Sequence, residues 1–144
     1  FRRVLFRSRL LGIDMGSKRI GISISDENRN IATPYETIQF TNIKNLCSSL
    51  KEIILENNIK GIVVGLPLNM NGTEGPSAQS VKDKIKLISK ELNTSIVLWD
   101  ERLSTVGSFN ISSQLDINVS KRVKNIDQNS AAFILQGVLD YLSK

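Results

Sequence analysis

Three acidic stations stand out in a chain of 144 residues that contains no histidine. Asp14 follows the apolar run Leu10-Leu11-Gly12-Ile13. The pair Asp100-Glu101 follows Ser95 to Trp99. Asp127 stands shortly before Ala131-Ala132-Phe133-Ile134-Leu135. The first two fall where strands are expected to end, and the third where a helix is expected to begin. Carboxylates gathered by such ends repel one another, and divalent metal ions relieve that repulsion best. The missing histidine removes the commonest general acid or base, together with every Ser-His-Asp and Cys-His relay. Chemistry on this chain therefore falls to carboxylates, lysine, hydroxyls or metal.

Each station also has an ordinary structural reading. Asp14 could sit in a charged turn, but an acid inside an apolar strand is costly to bury without a partner. At Asp100-Glu101 the alternation of side chains across a sheet lets only one acid face Asp14. Glu101 is taken for that role, leaving Asp100 as a helix N-cap or a surface ion-pair partner. Capping is the default for Asp127, since the start of a helix favours an anion whatever the function. Its helical spacing to Ala131, Ile134 and Val138 nevertheless aims it at the sheet, and two small alanines allow that helix end to approach closely. Lys18 and Arg19, just after Asp14 and Gly16, offer cations to a phosphate backbone. The segment Gly65 to Pro76 is rich in turn formers, and reads either as a mobile connector or as a substrate-facing loop in which Asn69 meets phosphates or bases.

The elements that must position these residues follow from periodicity. Leu10 to Met15 and the alternating Ile20, Ile22 and Ile24 form a hairpin around Gly16 to Arg19. Ile31 to Phe40 supplies a third extended segment, with Pro34 tolerable only at an edge or a bulge. Ile43, Leu46, Cys47, Leu50, Ile53 and Ile54 trace one face of a helix capped by Thr41 or Asn42 and stopped at Asn57-Asn58. Ile62-Val63-Val64 is a strand buried on both faces. Ser77 caps a helix with Val81, Ile85, Ile88 and Leu92 facing inward and Lys82, Lys84, Lys86 and Lys90 facing water. Ser95 to Trp99 is a fifth strand, and Ala131 to Leu142 is the last helix. The order β-β-β-α-β-α-β-α implies a mixed α/β sheet with parallel crossovers, in which ligands gather outside the carboxyl ends of the parallel strands.

Composition narrows the classes. The length suits one domain with a proper core. The formal charge is +5, but Arg2, Arg3, Arg7 and Arg9 supply +4 of it, so net charge says little about nucleic acid. Residues 1–8 read as an appended or disordered leader, and 9–144 as a single domain. No run approaches the roughly 20 apolar residues that cross a bilayer. One cysteine, Cys47, rules out an internal disulfide and fits a buried structural thiol in a reducing cytoplasm.

Four ordered segments carry a family resemblance. They are Leu11-Gly12-Ile13-Asp14-Met15-Gly16-Ser17-Lys18-Arg19-Ile20-Gly21; Val64-Gly65-Leu66-Pro67-Leu68-Asn69 with Gly72-Thr73-Glu74-Gly75; Asp100-Glu101-Arg102-Leu103-Ser104-Thr105; and Ile126-Asp127 before Ala131-Ala132. With them the chain resembles the YqgF family, also called RuvX, of RNase H-like proteins described as candidate pre-16S rRNA nucleases and as similar to Holliday junction resolvases. The resemblance implies an RNase H-like fold with five strands in the order 3-2-1-4-5, strand 2 antiparallel, flanked by helices. It implies a cytoplasmic nuclease with catalytic and metal-binding carboxylates at Asp14, Glu101 and Asp127. Two Mg²⁺ or Mn²⁺ ions roughly 4 Å apart would serve phosphodiester hydrolysis, and Lys18, Arg19, Asn69 and Arg102 would hold the substrate. The expected partner is nucleic acid, with precursor rRNA preferred over branched DNA; no membrane is implied, and monomer and homodimer both stand open. After Thr105 the family tends to carry an acid and alanine, whereas here Val106-Gly107-Ser108-Phe109 follows. Two other classes share part of this pattern. An actin-like ATPase shares the Asp14-Met15-Gly16-Ser17 pattern, but its second phosphate motif is absent from this sequence. A binding or ribosome-assembly factor that keeps the fold without cleaving is separated only by assay.

Overall fold

A computed structural model describes residues 8–101 and 119–143, with side chains over 8–101 and 129–143. The expected leader lies outside the described residues over 1–7, and Ser8 at its end is buried. Five strands are present: β1 (Arg9–Met15), β2 (Arg19–Ser25), β3 (Ala32–Gln39), β4 (Ile59–Leu66) and β5 (Ser95–Asp100). The helices are α1 (Ile43–Asn57), α2 (Pro76–Glu91) and α3 (Val119–Leu142). They form one sheet in the order β3-β2-β1-β4-β5, with β2 antiparallel to β1 and β3, and β1, β4 and β5 parallel. This is the α/β arrangement the sequence led us to expect.

Local chemistry explains most boundaries. Asn42 caps α1, its Oδ1 accepting the Asn45 N–H at 2.8 Å, and Asn58 closes the helix in the left-handed conformation. Pro34 lies on edge strand β3 where the pairing with β2 shifts register between Ile22 and Ser23, a bulge that tolerates a residue without an N–H. Two expectations need correcting. Gly75, not Ser77, is the N-cap of α2, because Pro76 fits the first helical position, where its missing N–H costs nothing. The last helix begins at Val119 and not near Ala131, so Asp127 lies inside it. Val119, Val123 and Ile126 extend the apolar period upstream, and the polar residues between them concealed that continuity.

Strand alternation divides the core between two faces. Leu11, Ile13 and Met15 of β1, with Ile62 and Val64 of β4, pack under α1 and α2 against Leu46, Leu50, Val81 and Ile88. Leu10 and Val63 point the other way, into a second cluster with Ile134, Leu135, Val138 and Leu139 of α3. Trp99 joins this second cluster and meets Tyr141 with ring centroids 5.7 Å apart. The lysines of α2 are not all simple solvent groups, since Lys82 pairs with Glu74 and Lys84 lies 4.6 Å over the Phe40 ring. Cys47 is buried among apolar neighbours, and desolvation raises its thiol pKa. No described helix is long and apolar enough to cross a membrane.

Candidate active site

Asp14 takes its face from its neighbours. Ile13 and Met15 occupy the α1/α2 side, so Asp14 projects to the α3 side, near the carboxyl end of β1 and opposite Gly21. Glu101 arrives from the far side of β4. Its backbone N–H donates to Leu66 O at 3.1 Å, extending the β4–β5 ladder one step beyond Asp100. Two residues after Trp99, it shares Trp99's face, whereas Asp100 alternates to the other. A hydrogen bond joins the Asp14 and Glu101 carboxyls.

That contact requires space above β4, where Gly65 provides it. A Cβ at Gly65 would stand 2.7 Å from Glu101 Cγ and Oε1 and 2.6 Å from Ile134 Cδ1, well inside ordinary contact. Gly12 does the same for the helix: a Cβ there would come within 2.8 Å of Leu135 Cβ and 3.0 Å of Ala131 O. The buried Ser23 hydroxyl then donates to Ala131 O at 2.8 Å, tying α3 to the sheet. Gln136 binds a second point, accepting the Ala32 N–H at 2.9 Å and donating to Asn30 O at 2.9 Å. Asp127 lies on α3 about one turn upstream of Ala131; its side chain is outside the described residues.

The electrostatics of the pair are those of two acids held too close for both to ionise freely. Burial, then the charge of Asp14, the hydrogen bond to it and the charge of Asp100 push Glu101 up to about 8. Without a cation, burial first and the neighbouring Asp14 second favour the protonated form of Glu101. Among the described residues no group of three acids is assembled as a metal cage.

The other expected site residues are placed as follows. Lys18 in the β1–β2 turn and Arg19 at the start of β2 are exposed, beside an open depression they share with Gly16, Ser17 and Gln39. Asn69 lies in the loop after β4, where its Nδ2 donates to Thr73 Oγ1 at 3.0 Å. Arg102 and the segment Val106-Gly107-Ser108-Phe109 lie outside the described residues. Gly65 and Ser23 were not singled out from the sequence as positioning residues. A signal existed for Gly65, because it follows Val63 by two and so occupies the α3 face in register with Trp99. None existed for Ser23, whose role depends on a carbonyl more than a hundred residues away.

Known proteins match this chain over most of its length. Residues 8–141 match the family described as "RuvX: Holliday junction resolvase". A relative from Pelagibacter ubique, named "Putative pre-16S rRNA nuclease", is 62% identical over 135 residues, covering 94% of this chain and 89% of that one. A protein of the same name from Nitrobacter hamburgensis is 43% identical, covering 95% and 84%. Among solved structures, RuvC of T. thermophilus in complex with a Holliday junction aligns with a TM-score of 0.63 at 11% identity, covering 94% of this chain and 95% of that one. The Fowlpox virus resolvase complex aligns at 0.53 and 15% identity, covering 94% and 99%. At those identities the structural likeness speaks for the fold alone.

Proposed function

The chain belongs to the RuvX family, and from that premise we propose that it is a divalent-metal-dependent endonuclease of structured nucleic acid. Its preferred substrate is precursor 16S rRNA, which relatives of this chain carry in their names, and its place of action is the cytoplasm. The observation that carries the reading is the Asp14–Glu101 carboxyl pair on the α3 face, at the carboxyl edge of the parallel strands.

The donor set fits a divalent cation. Two hard oxygen ligands stand in hydrogen-bond contact, one of them protonated at a pH where a free carboxyl is ionised. Asp14 and Glu101 would hold the metal, with Asp127 as the third carboxylate from α3. We assign the metal as Mg²⁺ or Mn²⁺, two ions per site. When bound, such ions acidify water and neutralise the charge that builds on the scissile phosphate.

The remaining work belongs to the chain itself. Gly65 leaves the room in which Glu101 reaches Asp14. The Ser23–Ala131 bond fastens α3 to the sheet about one turn downstream of Asp127. Lys18 and Arg19, exposed just after the strand that carries Asp14, would position a phosphate backbone without reading sequence, and Arg102 and Asn69 are assigned to the same task. RNA is favoured over branched DNA on the relatives' names, and the assay must carry both.

The test compares a structured precursor-rRNA fragment with junction DNA, using Mg²⁺, Mn²⁺ and chelator. Wild type should cut the RNA in the presence of metal. Asp14→Asn should lose more than about 100-fold, since even outer-shell changes around a metal cost up to that much. Equal cutting by Asp14→Asn refutes the assignment of the acids, and tight binding with no product in any metal favours a non-cleaving assembly factor.

A further inference from the structure

The loop between β4 and α2 holds more internal structure than a connector requires. Asn69 N–H donates to Thr73 O at 2.9 Å and Gly72 N–H to Asn69 O at 2.8 Å. Asn71 Oδ1 accepts from the Thr73 N–H at 3.1 Å and from its hydroxyl at 2.6 Å. Leu68 bridges antiparallel to Glu74, and Glu74 is ion-paired to Lys82 of α2. A chain cross-linked in this way has already given up the conformational freedom that a loose loop keeps.

At the tip of this braced turn stands Met70, 93% exposed, more than any other large hydrophobic side chain among the described residues. A single exposed apolar residue is ordinary on a protein surface. A thioether held out on a rigid turn at the ligand-binding edge of the sheet is a different arrangement. Rigidly supported apolar side chains, Met among them, serve nucleic-acid-binding proteins as wedges between base steps. The reach is right as well. Glu101 N–H is bonded to Leu66 O at 3.1 Å, and Met70 follows Leu66 by four residues. At most ~3.5 Å per residue bounds the Leu66–Met70 Cα separation at ~14 Å, and the inter-strand step of ~5 Å to Glu101 brings the backbone distance to at most ~19 Å, about six base-pair steps.

We propose that Met70 is a wedge that unstacks one base step within about six steps of the cut, directing cleavage to helix ends and junctions where stacking is already interrupted. This specificity role rests on the nuclease reading above. Unstacking a continuous helix costs free energy that a bulge or junction has already supplied, so the wedge discriminates by the structure of the substrate and not by its sequence.

The test places 2-aminopurine at successive positions around the mapped cut site of a structured RNA, with Ca²⁺ replacing Mg²⁺ to hold back cutting. Wild-type binding should raise fluorescence at one position. Met70→Ala should abolish that rise and Met70→Leu should keep it, with melting temperatures unchanged because the side chain is exposed. With Mg²⁺ restored, Met70→Ala should raise cutting of the continuous helix relative to a copy mismatched at that step by about tenfold, because without the wedge the continuous helix no longer carries the cost of one stacked step. If Met70→Ala binds and cuts with the same fluorescence rise and the same ratio, the wedge is wrong and the nuclease reading stands. If the wild type neither binds nor cuts, the nuclease reading fails and the wedge with it.

Discussion

Replacing Gly65 by alanine adds one methyl group to the floor of the acid pair, and the geometry sets its effect. The new Cβ would lie 2.7 Å from Glu101 Cγ and Oε1 and 2.6 Å from Ile134 Cδ1, where ordinary contact begins at 3.4 Å. Both neighbours must retreat by about 0.7–0.8 Å. Overpacking of this kind costs ~1–3 kcal/mol, a fall of roughly 3–10 °C in Tm for a chain of this size. The catalytic effect should be larger, because displacing a reacting group by ~1 Å can cost ~100-fold. We expect kcat on the RNA substrate to fall at least about tenfold and Mn²⁺ to bind more weakly by calorimetry. A second substitution separates the two effects. Ile134→Val deletes the Cδ1 that the new methyl meets and leaves the conflict with Glu101 in place. The Gly65→Ala/Ile134→Val double variant should therefore melt above Gly65→Ala and still cut poorly. Wild-type cutting by Gly65→Ala, or recovery of cutting together with Tm in the double variant, would refute the claim that Gly65 sets the position of Glu101.

Three further outcomes follow from the same contacts. Glu101 is raised from an ordinary glutamate to about 8, so the folded state holds a proton that the unfolded state releases. That contribution to stability is fully present below about pH 4.5 and is lost as pH rises through about 8. Melting in chelator should accordingly decline between these pH values, by a few kcal/mol at most or roughly 10 °C, and Mn²⁺ should stabilise more at pH 8 than at pH 5.5. A flat profile in chelator would show that the carboxyls are not in contact. Glu101→Gln should abolish cutting and, in chelator at pH 8.5, raise Tm above wild type by removing a carboxylate from beside Asp14; a lower Tm counts against that repulsion. Ser23→Ala loses the 2.8 Å bond to Ala131 O and should cost ~1 kcal/mol. Its cutting should fall several-fold, as α3 and the backbone of Asp127 loosen over the sheet; unchanged cutting at lower Tm would limit Ser23 to a structural part.

Much of this protein was written in local sequence. The alternation in Ile20, Ile22 and Ile24, the unbroken Ile62-Val63-Val64, a cap at Thr41 or Asn42, of which Asn42 serves, and the demand of Pro34 for an edge or bulge concern neighbours within a few residues, and each is present in the fold. The resemblance in four ordered segments supplied the strand order, which periodicity alone does not. Local reading failed at helix starts. Pro76 drew the α2 cap back to Gly75, and the many polar residues between Val119 and Ala131 hid the first three turns of α3. Sequence determined which residue types could do the chemistry: carboxylates at the ends of apolar strands, with no histidine to replace them. Tertiary structure decided that Asp14 and Glu101 share a hydrogen bond, that Asp100 turns to the opposite face, and that Gly65, Gly12 and Ser23 make room for and fasten the layer above. The physical reason is range. Strand and helix periods are set by neighbours along the chain, whereas a shifted carboxyl pKa and a forbidden Cβ depend on atoms that only the packed sheet and helix bring within a few ångströms.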